Sequence, residues 1–173
     1  MVDLLRPKRG GFLRAFGCGI FIRDFLMGKG PHGSAEIDSS AGAPQADIFR
    51  EYKIALSRAT AMERALATEE KSARREKRFF NPDNITELAN RYLARMPYKA
   101  QGCRYHSFVT YFSDLVRLGW VEPTGKREMS EFQDHYPPGQ SRKYFRLTQR
   151  GINAGDAAWA NPHIALYGRG RTR

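Results

Sequence analysis

The chain has 173 residues and carries 29 Lys and Arg against 18 Asp and Glu, a formal charge of +11. Hydrophobic residues make up 41%, enough for a folded core and too many for a disordered polyelectrolyte. Two cysteines, Cys18 and Cys103, exclude a disulfide framework and fit a reducing cytoplasm.

Residues 1–30 hold six basic and two acidic side chains, and residues 124–173 hold nine and four, so the excess sits at the two ends. Such a distribution calls for a polyanion, because each cation placed near a phosphate releases a condensed counterion.

The chain opens with an apolar stretch, Gly11 to Met27, interrupted by Arg14, Arg23 and Asp24. It is too short and too charged to span a membrane, and it lacks the cleavage site of a signal peptide. It is expected to pack on the domain or on a second copy of the chain. Gly28 to Gln45 is rich in Gly, Pro and Ser and reads as a linker. Its GKGPHGS start is no phosphate loop, since no Lys followed by Ser or Thr closes it.

From Ala46 to about Arg78 there is neither Gly nor Pro, which predicts one long helix. Ile48, Tyr52, Ala55, Ala59, Met62 and Leu66 form a seam on it, while EEKSARREKR (69–78) is expected to lie in water or on a polyanion. FFNPD (79–83) breaks the helix. A second helix is expected from Asn84, with Asn84 as the cap and Glu87 completing a capping box. Ile85, Leu88, Ala89, Tyr92, Leu93 and Met96 stripe that helix, and Pro97 stops it.

A third helix follows a turn. Phe108, Phe112, Leu115 and Leu118 share its apolar face, Gly119 ends it, and Trp120 and Val121 begin an extended segment. Glu122 to Ser141 is polar and punctuated by Gly125 and PPG. RKYFRLT (142–148) alternates as a strand, expected to pair with 119–123 as a hairpin whose tip is the polar stretch. Trp159, Ile164, Leu166 and Tyr167 interrupt an otherwise basic C-terminal tail, 154–173.

ITELANRYL (85–93), SFVTYFSDLVRLGWVE (107–122) and KYFRLTQRG (143–151) resemble the winged helix-turn-helix superfamily, particularly MarR-like and PadR-like transcription regulators. The resemblance covers roughly half the chain, Ile85 to Asn153. It implies a mainly α fold with a small antiparallel β-hairpin, a winged helix-turn-helix over 81–153 preceded by a long helix over 46–80. Residues 1–45 then form an N-terminal segment and linker. The turn at 97–105 and the wing tip are both longer than is usual in that superfamily.

A recognition helix entering the major groove of double-stranded DNA would present His106, Thr110, Ser113 and Arg117, flanked by Arg104, Tyr105 and Ser107. Lys126 and Arg127 on the wing, with Arg142, Lys143 and Arg146 on its strands, would contact the phosphate backbone. Asp114, a carboxylate among these groups, is expected to turn aside or pair with Arg117. The seam on the long helix implies a homodimer.

Cys103 and His106 have the spacing of half a metal site without a second close pair, and no nucleophile has an orienting base. A DNA-binding regulator without catalytic residues, cofactor, metal or membrane attachment is therefore expected. The alternative is a winged-helix interaction or RNA-associated module within a larger assembly.

Overall fold

The structure, a computed structural model, describes residues 16–33, 37–97, 103–129 and 141–168. The helices are α1 (Cys18–Met27), α2 (Gln45–Glu76), α3 (Asp83–Arg95), α4 (Tyr105–Arg117), α5 (Gln149–Asn153), α6 (Asp156–Ala160) and α7 (Pro162–Tyr167). The strands are β1 (Ala43–Pro44), β2 (Val121–Met129) and β3 (Ser141–Leu147). The chain is mainly helical with a small three-stranded antiparallel sheet. Among the described residues no helix is long and apolar enough to cross a membrane. Two compact units form: one includes Lys53–Cys103, the other Gly17–Tyr52 and Arg104–Arg173, each over its described residues. Helix α2 contributes to both, whereas α3 belongs to the first and α4 to the second.

In the first unit α2 packs on α3 through small side chains. Ala61, Ala65 and Ala89 are buried, and Ile85, Leu88, Tyr92, Leu93 and Met96 close over them. Side chains ending at Cβ let two helices approach closely. Thr68 Oγ1 and Tyr92 OH share a hydrogen bond of 2.8 Å across the pair.

The elbow between these helices departs from expectation. Asn84 lies within α3 and does not cap it; instead Asn81 Oδ1 accepts from the Asp83 amide at 3.0 Å. Glu87 pairs with Arg91 one turn on. Asn84 Nδ2 donates to Glu69, which also accepts from the Asn81 amide at 2.9 Å and from both terminal nitrogens of Arg78. Glu69, expected in solvent, is 2% exposed. The Arg78 guanidinium first, then the Asn81 amide, hold its carboxyl down from 4.5 to about 2.

The second unit is built on aromatic contacts. Phe21 of α1 meets Tyr52 of α2 with ring centroids 5.1 Å apart, Phe49 meets Phe108 at 5.2 Å, and Phe112 meets Phe145 of β3 edge-on at 5.0 Å. Ile48 and Tyr52, the first two residues of the predicted seam, are fully buried here, within the chain's own core. The α1 face that includes Phe21, Ile22, Phe25 and Leu26 is buried, with α6 packed against the helix.

Helix α4 ends as its sequence requires. Gly119 takes φ +68, its amide reaches Val116 O at 2.9 Å, and the Trp120 amide reaches Leu115 O at 3.1 Å. The chain then enters β2. The sheet order is β1-β3-β2, with Ala43 opposite Phe145 and Val121 opposite Leu147. The hairpin runs past Pro123 to Met129, through a register irregularity between Pro123 and Arg127. Residues 43–44, read as linker, supply the third strand.

Residues 149–167, most of them read as tail, fold into α5, α6 and α7. Trp159 is fully buried, lies tilted against Trp120 with centroids 4.8 Å apart, and donates its indole N–H to Gly151 O at 2.9 Å. Gly151 packs where no larger residue fits, since a Cβ there would stand 2.3 Å from Trp120 O. Thr148 caps α5 by accepting from the Gly151 amide at 3.0 Å.

Candidate nucleic-acid interface

The apolar face of α4 is buried as its spacing predicts: Phe108, Phe112, Leu115 and Leu118 all lie in the core. That leaves Tyr105, His106, Ser107, Thr110, Ser113 and Arg117 exposed, with Arg104 exposed at the N-cap position. The ridge is thus brought to the surface by one helix.

Its chemistry differs from an array of free donors. Thr110 Oγ1 donates to His106 O at 3.1 Å, and Ser113 Oγ donates to Val109 O at 2.9 Å. With their protons committed to the helix backbone, these hydroxyls face outward as acceptors, suited to a base amino group more than to a phosphate oxygen. Tyr105 lies edge-on to Phe49, ring centroids 5.1 Å apart.

Arg117 is held by α7. Its Nη1 donates to Tyr167 OH at 2.5 Å, its guanidinium carbon stands 5.5 Å from the Tyr167 ring centre, and Asp114 Oδ1 lies 3.9 Å away. On its other oxygen Asp114 faces His163 Nδ1 at 3.7 Å. Tyr167 and His163 therefore belong to this surface. No periodic signal in the sequence links them to residues fifty positions earlier.

On the hairpin the five predicted cations divide into two classes. Lys126 Nζ sits 2.9 Å from Glu128 and 4.3 Å above the Tyr144 ring; Arg146 Nε sits 2.9 Å from Glu122; Arg142 is bonded to Asp47. Glu128 also accepts from Tyr144 OH at 2.5 Å, and that hydrogen bond, with Lys126 second, lowers its pKa. The Lys126 ammonium is raised in return by Glu128. Each of these three cations is met by a carboxylate of its own chain. Lys126 and Glu128, two apart on a strand, share a face, so that pairing was legible once the segment is read as β rather than loop. Lys126 and Arg127 lie within β2, not at a tip; residues 130–140, with Phe132 and His135, lie outside the described ones.

Arg127 and Lys143 are different. They stand directly opposite each other across the β2–β3 ladder, both exposed, and no carboxylate meets either among the described residues. Alternation places Lys143 on the same face of β3 as Phe145, whose ring packs on Phe112 of α4. The uncompensated pair thus shares the α4 side of the hairpin, and the neutralised cations Arg142 and Arg146 occupy the other.

Cys18 and Cys103 are both buried. Among the described residues no three His, Cys, Asp or Glu side chains gather as a metal site. Comparisons with protein-family models, curated proteins and solved structures find no match to this chain.

Proposed function

We propose that this protein binds double-stranded DNA as a winged-helix regulator, with α4 as the groove-reading helix and the hairpin as a wing. The observation that carries this reading is the Arg127–Lys143 pair. Like charges directly opposite on an antiparallel ladder destabilise it, and a polyanion removes that repulsion while releasing counterions. The chain's charge of +11 supplies the surrounding field.

The test is a salt titration of duplex binding by fluorescence anisotropy. Arg127→Ser and Lys143→Ser should each weaken binding to any duplex and each reduce the slope of log K against log salt by about 0.9. Neither should lower thermal stability, since each relieves a like-charge contact. Arg146→Ser, whose charge is already met by Glu122, should change the slope less. Wild-type slopes in both Arg127 and Lys143 variants would remove the wing from the interface.

Sequence choice is assigned to Arg117 and to the ring that positions it. On fragments selected from a random pool, Arg117→Ala should narrow the gap between selected and unselected DNA by about tenfold, the worth of a guanine contact. Tyr167→Phe should move the same preference without altering the salt slope. A homodimer remains part of this reading, now through the second half of the seam, where Met62 and Leu66 are 43% and 38% exposed one turn apart. Met62→Lys should then shift the sedimentation equilibrium toward monomer.

A further inference from the structure

The unit that carries the sheet holds a cleft that duplex binding leaves unused. It opens where the C-terminal end of α1, residues 39–40, the root of the β2–β3 hairpin and the start of α5 meet, and its volume is about 590 Å³. Small-molecule sites usually fall between about 300 and 1,000 Å³. Every residue lining the cleft belongs to the second unit, so one fold brings its walls together.

Part of the lining is apolar: Leu26, Met27, Leu147 and Ile152. Leu26 is buried, whereas Ile152 is left 45% exposed. Apolar surface kept wet in a concavity is stabilised when an alkyl chain or a ring covers it. The rest of the lining is polar and includes Lys29, Arg146 and Glu122. Glu122 stands opposite Arg146 on the ladder and accepts from its Nε at 2.9 Å, but neither terminal nitrogen of Arg146 donates a hydrogen bond among the described residues. Lys29 is exposed, and no carboxylate meets it among the described residues. Two cations against one carboxylate leave a single net positive charge beside the apolar lining.

Neutral donors in the cleft are largely spent. The Lys29 amide reaches Asp24 O at 3.2 Å, the Thr148 amide reaches Trp120 O at 3.0 Å, and the Ser40 amide reaches Asp38 Oδ1 at 2.8 Å. The Ser40 and Thr148 hydroxyls donate to Asp38 and to Gly119 O. A phosphate group is cradled by several free backbone amides and brings close to two negative charges. A carboxylate brings one charge and is held well by side-chain cations alone.

We propose that this cleft binds a small organic carboxylate with an apolar body, the carboxylate held by Lys29 and Arg146 and the body lying on Leu26, Leu147 and Ile152. The site needs neither the exposed ridge of α4 nor the Arg127–Lys143 pair, and it stands or falls independently of duplex binding.

Octanoate, 1-octanol, octylamine and octyl phosphate serve as probes of the full chain, with binding read by calorimetric titration and located by amide chemical shifts. Octanoate should bind saturably and move the amides of Lys29, Ser40, Gln149 and Ile152. The alcohol, which keeps the tail and loses the charge, should bind about tenfold more weakly, and the amine more weakly still. Lys29→Ala should weaken octanoate about tenfold and leave 1-octanol unchanged, whereas Ile152→Ser should weaken both. Both side chains are exposed, so these variants should melt as wild type does, and a circular dichroism melt checks this. No saturable octanoate binding up to about 10 mM overturns the proposal. So do equal affinities for octanoate and 1-octanol, tighter binding of octyl phosphate than of octanoate, or shifts that centre on residues outside the cleft. Loss of duplex binding in the Arg127 and Lys143 variants, with octanoate binding intact, would leave this site standing alone.

Discussion

Trp159→Ala is expected to cost the second unit about 3–5 kcal/mol, the largest stability loss of any single truncation considered. The indole is fully buried against Trp120, and its N–H satisfies Gly151 O at 2.9 Å. Truncation removes the ring's burial, opens a cavity beside β2, and leaves a buried carbonyl unpaired. Trp159→Phe keeps an aromatic ring but discards the donor and part of the buried ring volume; about 1–3 kcal/mol should be lost. Urea unfolding followed by circular dichroism measures both. A loss within about 0.5 kcal/mol for the alanine variant would mean that α6 is a surface appendage. The consequence reaches the interface, since α7 follows α6 directly and carries the Tyr167 that holds Arg117.

Acid should act on the other unit through Glu69. Glu69 is drawn down to about 2 from 4.5 because Arg78 and the Asn81 amide stabilise its charged form. Its pKa is lower folded than unfolded, so its contribution is complete above about pH 4.5 and is lost as pH falls toward 2. Glu69→Ala leaves the Arg78 guanidinium, the Asn81 amide and Asn84 Nδ2 without their acceptor, and should melt the elbow at every pH. Glu69→Gln keeps one carbonyl acceptor and should sit between the two. Hydrogen exchange at residues 78–84 reads the result locally: wild type protected at pH 6 and progressively less so below pH 4, Glu69→Ala unprotected, Glu69→Gln intermediate, and both variants flat across that range. Protection of Glu69→Ala equal to that of wild type would show that the carboxylate does not hold the elbow.

Local pattern determined much of what is seen. An uninterrupted run of helix formers produced α2 within two residues of expectation, and the spacing of Phe108, Phe112, Leu115 and Leu118 correctly named the buried face of α4. Gly119 ended that helix because only glycine takes the left-handed conformation without strain. These features rest on contacts within one or two helical turns, which the order of residues encodes directly.

Other features depend on partners far away in the chain. Residues 43–44 become a strand only because β3 offers them an edge, and Trp159 becomes core only because Gly151 and Trp120 form a slot for it. The capping box written into Asn84 and Glu87 lost to a buried Glu69 fifteen residues upstream of Asn84, whose carboxylate satisfies three separate donors. Charge was the least legible property of all. Sequence counts Lys126, Arg127, Arg142, Lys143 and Arg146 as equals, but register sets Glu122 and Glu128 beside two of them and Asp47 beside a third, leaving Arg127 and Lys143 opposed. Composition therefore fixed how much positive charge the protein carries. Tertiary structure alone decided where that charge stays available, because Coulomb pairing acts across space and takes no account of distance along the chain.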